Sequence, residues 1–331
     1  MINSLAEPVR RGTLGTAIIL ASDVLGVSPL AVVVALQIGV VLALAAVLFH
    51  IALATVSHPI QIAVFLLPPF YPMMMISRFD GMIYKDVLAL LAICVLALAV
   101  VRPELKARLV PAGVILFIVA CFSHEALVFF LPVAIWLTFR ATGWTKAGKV
   151  QMALLAAGAG AAFVFALTYS RADPDAICFA LISRGLGDHL CAGPIGWLNA
   201  SLSQAIAFTF HELEVRHLVQ FVSVWGVSVV VVAYLWGISA LWGIALGVLT
   251  LVPFLPLFPI ALDFGRWFAF AFVSYLLVVV TMERAQPLAP FDRRRGAVAL
   301  IAVMCSLSMT YDSTAGVYWS GLANRALALL G

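Results

Sequence analysis

Residues 109–139 read LVPAGVILFIVACFSHEALVFFLPVAIWLTF, a long apolar stretch interrupted by the polar island Ser123-His124-Glu125. Neither apolar flank carries a charge. Ionisable residues that face lipid are costly, and they persist where they line a polar cavity or a membrane boundary. The island therefore indicates a functional site within a membrane-spanning region.

The composition excludes a soluble globular protein and predicts an all-α, polytopic membrane protein. Hydrophobic residues make up 64% of the 331-residue chain and charged residues only 10%, whereas charged residues make up about a quarter of soluble domains. At about twenty residues a crossing, the chain has room for a helix bundle of about ten (nine to eleven) transmembrane helices. No long polar stretch leaves space for a soluble domain, so residues 1–331 are predicted to form a single membrane domain. The net charge of +4 comes from loop lysines and arginines, which orient the spans and do not indicate nucleic acid.

Hydropathy along the chain predicts where the spans lie. Residues 12–27 form either an eleventh short span or an amphipathic helix on the membrane surface. Prolines within Leu67–Pro72 and at Pro253, Pro256 and Pro259 interrupt two spans, because each proline removes a backbone donor. Broken backbone at membrane depth is tolerated where it lines a protein-walled or wet cavity, so we expect the broken and short helices to line an extracytoplasmic cavity. The spans are predicted near residues 29–54, 59–76, 87–101, 109–123, 126–139, 150–169, 218–237, 239–262, 267–281 and 297–311.

Basic loops orient these spans. Arginine and lysine concentrate in three short connections, which the positive-inside rule places in the cytoplasm. Because the first two connections flank residues 109–139, that stretch is predicted to cross twice and to turn at the polar island on the far side. Alternate counting puts Ser77–Asp86, the 170–217 loop and Asp263–Trp267 on the same extracytoplasmic face, which we interpret as the working face. The three connections carry Arg102, Lys106 and Arg108; Arg140, Lys146 and Lys149; and Arg284, Arg293, Arg294 and Arg295.

The polar island offers two candidates for a general base that acts on a sugar hydroxyl. Glu125 borders an apolar wall, which is expected to raise the pKa of its carboxyl and to suit it to that role. His124 is the alternative base, or it orients the acceptor. A structural role stays open, in which Ser123 caps the following helix and Glu125 interacts favourably with the dipole at its N-terminus.

Two further clusters mix cations with carboxylates at span entrances. Arginine grips phosphate through two hydrogen bonds and lysine supplies a point charge, so both clusters are candidate sites for a lipid phosphate or diphosphate. The alternatives are a solvated loop for the first and a simple Asp–Arg ion pair for the second. Arg184, in the 170–217 loop, is a further candidate phosphate ligand, and Ile195–Phe210 is amphipathic enough to lie along the membrane and shape a substrate groove. The first cluster contains Arg78, Asp80, Lys85 and Asp86, and the second contains Asp263 and Arg266. In the solvated-loop alternative, Asp86 caps the following helix.

The 170–217 loop also holds Cys178 and Cys191, thirteen positions apart. In an oxidising compartment these cysteines can form a disulfide, and two free thiols are the alternative. No CxxC occurs, and His211 and His217 are spaced differently from the HExxH pattern of zinc proteases. The sequence contains no P-loop, dinucleotide or haem motif either, so neither a metal nor a cofactor is predicted.

The order of these clusters resembles the bacterial EpsG/Wzy-type family of polysaccharide polymerases, over approximately residues 59–282. The pattern is a basic opening to an early span (Arg78, Lys85), then the His124-Glu125 interruption, then Asp263 with Arg266. The resemblance implies a donor of oligosaccharide linked to undecaprenyl diphosphate, presented from the outer leaflet of a bacterial inner membrane. Glu125 or His124 would deprotonate the acceptor hydroxyl. The cations Arg78, Lys85 and Arg266 would neutralise the leaving diphosphate without needing a metal.

The resemblance also implies contact with membrane lipid and with partners in a polysaccharide export or assembly system. Two other classes stay open. A transporter or flippase for a lipid-linked or anionic amphipathic substrate more often shows an internal repeat and polar residues at mid-span in both halves, and neither feature is evident. In a structural subunit of a membrane complex, the polar clusters would serve as assembly contacts.

Overall fold

A computed structural model describes residues 2–5, 8–56, 61–62, 85–191, 195–282, 293–308, 310–312 and 316–318. These residues form an all-α helix bundle, as the composition predicts, with one short β-hairpin near the C-terminal end. In chain order the α-helices are α1 (Gly12–Leu25), α2 (Pro29–Thr55), α3 (Asp86–Val101), α4 (Lys106–Ser123), α5 (Leu131–Thr142), α6 (Lys146–Thr168), α7 (Pro174–Ile182), α8 (Leu202–Glu212), α9 (Val215–Leu235), α10 (Ala240–Leu251), α11 (Phe264–Met282) and α12 (Arg293–Ser308). The hairpin pairs β1 (Thr310–Asp312) antiparallel with β2 (Gly316–Tyr318).

Short 3-10 helices extend or connect several of these α-helices. One of them, Glu125–Phe130, leads directly into α5, and another, Val252–Leu257, continues α10. The latter contains Pro253 and Pro256, so the helix break predicted from those prolines is confirmed. The remaining 3-10 helices are Pro103–Leu105, Asp188–Cys191 and Gly196–Asn199.

Within the described residues, seven helical segments are long and apolar enough to cross a membrane, which makes the chain a multi-pass membrane protein. Helices α1 and α3 are apolar but shorter. The predicted spans that fall within the described residues coincide with helical segments to within about one turn at each end, except that the predicted span 239–262 continues beyond Leu257, where the helical segment ends. The predicted span 59–76 and the prolines of Leu67–Pro72 lie outside the described residues, except for Gln61 and Ile62. The seven segments are Pro29–Thr55, Pro103–Ser123, Glu125–Thr142, Lys146–Thr168, Val215–Leu235, Ala240–Leu257 and Phe264–Met282.

Helix starts follow from local capping chemistry. The Ser28 side chain accepts a hydrogen bond from the Ala31 backbone N–H, and Pro29 occupies the first helical position of α2. Thr145 caps α6 in the same way, by accepting from the backbone N–H of Gly148. Each cap satisfies a backbone donor that would otherwise lack a partner within its helix.

Helices α3 and α11 form the centre of the bundle. All residues of α3 except Leu88 are buried, as is 94% of the apolar window in α11. Phe130 joins the 3-10 helix before α5 to this centre, because its ring lies 5.1 Å from that of Phe254 and 4.8 Å from that of Phe270. Since lipid is as apolar as these side chains, close packing rather than escape from water stabilises the arrangement.

The helix ends meet in two groups, which define a basic end and a polar end of the bundle. At the basic end, Arg140 Nη2 donates to the Thr281 carbonyl over 3.0 Å, and the Arg295 guanidinium lies 5.8 Å from the Tyr234 ring centre. These contacts bring together the ends of α5, α9 and α11 and the start of α12. At the polar end, α3 and α11 begin side by side, with the polar island between α4 and α5 close to them. Residues 109–139 lie in two helical segments that are each long and apolar enough to cross a membrane, as the predicted two-crossing path requires.

Helix α1 lies along the polar end. Its two ends both contact the segment that follows α6: the Arg10 backbone N–H donates to the Tyr169 carbonyl over 2.9 Å, and Arg184 pairs with Asp23 at 2.9–3.0 Å. With fourteen residues, the helix is only about 21 Å long, shorter than the roughly 30 Å hydrocarbon core. Both sequence alternatives for residues 12–27, a short span and a surface helix, stay predictions.

The helix directions generate a labelling prediction. Exposed Trp144 lies at the basic end and exposed Leu202 at the polar end, so Trp144→Cys and Leu202→Cys should react from opposite sides of the membrane. In a background with Cys94, Cys121 and Cys305 replaced by Ala, a membrane-impermeant maleimide added to sealed cells should label Leu202→Cys alone. Trp144→Cys should require permeabilisation. Labelling of both sites from one side would contradict the helix directions.

Candidate functional site

Charged side chains from four separate parts of the chain meet at the polar end. They come from the segment before α1, the start of α3, the turn between α4 and α5, and the start of α11. All four are helix boundaries, where side chains reach the edge of the apolar bundle. We call this set the ionic cluster; it consists of Arg10, Arg11, Lys85, Asp86, His124, Glu125, Asp263 and Arg266.

The ion pair between Arg11 and Glu125 is the tightest contact of the cluster. Arg11 Nε lies 2.9 Å from both carboxylate oxygens of Glu125, and Arg11 Nη2 lies 2.5 Å from Oε1. The Glu125 side chain is only 18% exposed, so these charge-assisted hydrogen bonds are largely shielded from water. The apolar wall expected beside Glu125 is wrong: a guanidinium covers the carboxylate and stabilises its charged form.

The backbone of Arg11 is unusual. Its φ of 65° places a non-glycine residue in the left-handed region, which costs about 1–2 kcal/mol. The Lys85 ammonium donates to the Arg11 carbonyl, and Glu125 holds the side chain. The surrounding contacts thus keep Arg11 in a conformation that points its guanidinium at the polar island.

Further contacts anchor the segment before α1. The Ser4 backbone N–H donates to Thr16 Oγ1 over 2.7 Å, and the Arg10 backbone N–H donates to the Tyr169 carbonyl. Gly12 permits this close fold, because a Cβ there would lie 2.0 Å from Ser4 Oγ. The two arginines are therefore presented to the cluster from a fixed backbone.

Arg266 forms the second ion-pair group of the cluster. Its Nε lies 3.3 Å from Asp86 Oδ2, and its Nη1 lies 3.1 Å from Asp263 Oδ2. The Asp86 side chain is only 3% exposed, and among the described residues no donor lies within hydrogen-bond distance of its Oδ1. Arg266 thus ties the start of α3 to the start of α11 and partly neutralises a buried carboxylate.

His124 adjoins the Arg11–Glu125 pair, with its Nδ1 3.9 Å from Glu125 Oε2. Its Nδ1 accepts a hydrogen bond from the Ala126 backbone N–H over 3.2 Å, which leaves the proton of the neutral ring on Nε2. Burial, followed by the charge of Arg11, holds the pKa of His124 well below its usual range. Glu125 opposes that effect, while Arg266 and Lys85 add to it. His124 is thus a neutral hydrogen-bond donor through Nε2, a geometry that suits an orienting role better than proton abstraction.

Lys85 is the fourth cation of the cluster. Burial, followed by the charge of Arg11, lowers the pKa of Lys85 to about 8. Part of the Lys85 population is therefore neutral at physiological pH, and an added anion would favour the charged form.

The other predicted site residues have different positions. Arg184 pairs with Asp23 near the far end of α1, about 18 Å along the helix from Arg11, and this contact separates it from the ionic cluster. Cys178 and Cys191 form a disulfide in the same surface segment. Arg78 and Asp80 lie outside the described residues. The amphipathic stretch Ile195–Phe210 forms a 3-10 helix followed by most of α8.

Among the described residues, no group of three or more His, Cys, Asp or Glu side chains is placed to hold a metal ion. Comparison of the chain with protein-family models, curated proteins and solved structures finds no match. Interpretation of the ionic cluster therefore rests on its own chemistry.

The cluster geometry predicts unequal roles for two arginines with similar local contacts. Arg11 and Arg184 each hold a carboxylate through two nitrogens, and the two arginine side chains are about equally exposed. The carboxylates differ, because Glu125 is 18% exposed and Asp23 is 44% exposed. We expect Arg11→Ala to lower the free energy of unfolding by about 1–3 kcal/mol, between the values for exposed and buried pairs. Arg184→Ala should change it little, because water already solvates the Asp23 carboxylate.

Thermal unfolding in detergent, followed by circular dichroism, measures both variants. Adding Glu125→Ala to Arg11→Ala should lower the free energy of unfolding little further, since the ion pair is already lost in Arg11→Ala. Equal losses of unfolding free energy in Arg11→Ala and Arg184→Ala would show that the Arg11–Glu125 pair stabilises the fold no more than the Arg184–Asp23 pair does.

Proposed function

We propose that the protein is a glycosyltransferase or polysaccharide polymerase that works at the extracytoplasmic face of a bacterial inner membrane. It joins oligosaccharide units from a polyprenyl-diphosphate-linked donor to a hydroxyl of a sugar acceptor. The observation that carries the proposal is the ionic cluster, in which four cations outnumber three carboxylates around a neutral histidine at the polar end of an apolar bundle.

A surplus of cations at this position suits a lipid diphosphate. The polyprenyl tail stays in the bilayer, so its diphosphate lies at the depth where membrane-spanning helices begin. Guanidinium groups match phosphate oxygens through paired hydrogen bonds, and a lysine adds a point charge. Such groups stabilise the charge that develops on a leaving diphosphate, and they act strongly where water is scarce.

In the proposed reaction, Glu125, Lys85, Arg266, Asp263 and His124 of the ionic cluster have separate roles. The oxygen of the acceptor hydroxyl forms a bond to the anomeric carbon of the donor, while the bond from that carbon to the diphosphate breaks. Glu125 takes the hydroxyl proton, and the diphosphate leaves with the bonding electron pair on its polyprenyl carrier. Lys85 and Arg266 stabilise that charge, Asp263 positions Arg266, and His124 Nε2–H orients the acceptor or a phosphate oxygen.

The distribution of charge along the spans favours this enzyme over a transporter. In the described spans, charged residues lie within about two turns of a helix end, as at Arg108, Lys149 and Arg266. Transporters instead bind substrate near the middle of the bilayer, in broken helices. A site at the membrane boundary is better suited to joining a lipid-anchored donor to a polar acceptor.

The proposed reaction is tested by replacing Glu125. We expect Glu125→Gln to reduce polymer formation at least about 100-fold, the usual contribution of a general base, because the amide cannot accept the hydroxyl proton. Glu212→Gln, at an exposed carboxylate outside the cluster, is the matched control and should retain full polymer. The measurement is the amount and chain length of surface polysaccharide in a deletion strain complemented with each variant. Unchanged polymer with Glu125→Gln would refute the assigned base.

A further inference from the structure

Arg10 and Arg11 are the cations of the cluster that the sequence patterns do not select. Within the described part of the chain, Arg11 forms a close ion pair with Glu125, whereas Arg10 makes only a longer contact with the same carboxylate. Arg10 Nη1 lies 4.0 Å from Glu125 Oε1, beyond hydrogen-bond distance. Among the described residues, no acceptor contacts its buried Nε. One carboxylate is thus shared, unequally, by two adjacent guanidinium groups.

The electrostatics of this pair favour a further anion. Burial, followed by the charge of Arg11, lowers the pKa of Arg10, and Glu125 only partly compensates. Lys85 adds a third cation next to Arg11, at its carbonyl. Two guanidinium groups and an ammonium therefore lie near the Glu125 carboxylate, while Asp86 also interacts with Lys85 and Asp263 with Arg11.

Backbone contacts hold the segment that carries Arg10 and Arg11, while both arginine side chains remain partly exposed to solvent. Backbone hydrogen bonds hold Ser4 and Arg10, and the left-handed turn at Arg11 directs its side chain across the polar end. The side chains themselves remain about a quarter to a third exposed, at 26% for Arg10 and 31% for Arg11. An incoming anion can therefore reach both guanidinium groups without displacing the segment.

We propose that Arg10 and Arg11 form a diphosphate-binding clamp, and that Arg11 exchanges Glu125 for the diphosphate of the lipid-linked donor. This inference rests on the proposed function and adds an order of events to it. In the resting state, Arg11 covers both oxygens of Glu125 and blocks proton transfer. When the diphosphate takes over Arg11, Glu125 loses its guanidinium partner beside a new negative charge and becomes a stronger base. Acceptor activation thus follows donor binding, which limits activation of an acceptor while no donor is present.

The exchange makes opposite predictions for the two members of the ion pair. In full-length protein reconstituted in phosphatidylcholine nanodiscs, inorganic diphosphate should bind at least ten-fold more weakly to Arg10→Gln and to Arg11→Gln than to the unmodified chain. Glu125→Gln should bind it roughly three- to ten-fold more tightly, because the competing carboxylate is gone. Arg184→Gln, which removes a similar arginine outside the cluster, should bind it normally. Isothermal calorimetry measures each dissociation constant.

The gain in affinity for Glu125→Gln is a result that misfolding does not produce, so the test does not depend on the arginine variants remaining stable. Unchanged binding by Arg11→Gln, or weaker binding by Glu125→Gln, would overturn the clamp. Displacement of inorganic diphosphate by discs rich in phosphatidylglycerol would overturn it too, by identifying the site as one for phospholipid headgroups. Loss of polymer in Glu125→Gln together with normal diphosphate binding by Arg10→Gln and Arg11→Gln would refute the clamp alone. Normal polymer in Glu125→Gln with the predicted binding changes would refute the catalytic role alone.

Discussion

The bilayer boundary imposes one constraint on this chain: charged groups placed there must find partners within the protein. The Arg11–Glu125 ion pair meets that constraint for the polar island, which would otherwise expose a carboxylate to an apolar setting. The pair also explains why the segment before α1 returns to the bundle and why Arg11 retains a left-handed backbone. Both the position of α1 and the composition of the ionic cluster depend on this contact.

The centre of the bundle supplies the second half of the cluster. Helices α3 and α11 are buried along nearly their whole length, and both begin at the polar end. Asp86 and Arg266 therefore arrive at the same depth, where they pair. A buried apolar core thus presents a compact group of charges at the membrane boundary. That combination is well suited to a substrate with an apolar tail and a diphosphate headgroup.

The sequence predicted much of this architecture. Long apolar runs bounded by basic loops identified the spans, and the same loops identified the polar island as the turn of a two-crossing segment, because hydropathy and charge are local properties. The partner of Glu125 was not predictable in this way. Arg11 lies 114 positions away, and the local sequence around Arg10 and Arg11 does not indicate a contact with the polar island. The apolar environment expected at Glu125 was therefore wrong. Arg184, which the sequence offered as a phosphate ligand, instead forms a surface ion pair with Asp23.

In the proposed mechanism, the polar end binds a lipid diphosphate through Arg11, which otherwise holds Glu125, and through the adjacent Arg10. A cryo-electron microscopy structure of the protein in nanodiscs with undecaprenyl diphosphate tests this binding most directly. We expect diphosphate density within hydrogen-bond distance of the Arg10 and Arg11 guanidinium groups, with the Glu125 carboxylate moved off Arg11. Diphosphate density elsewhere, with the Arg11–Glu125 pair intact, would contradict it.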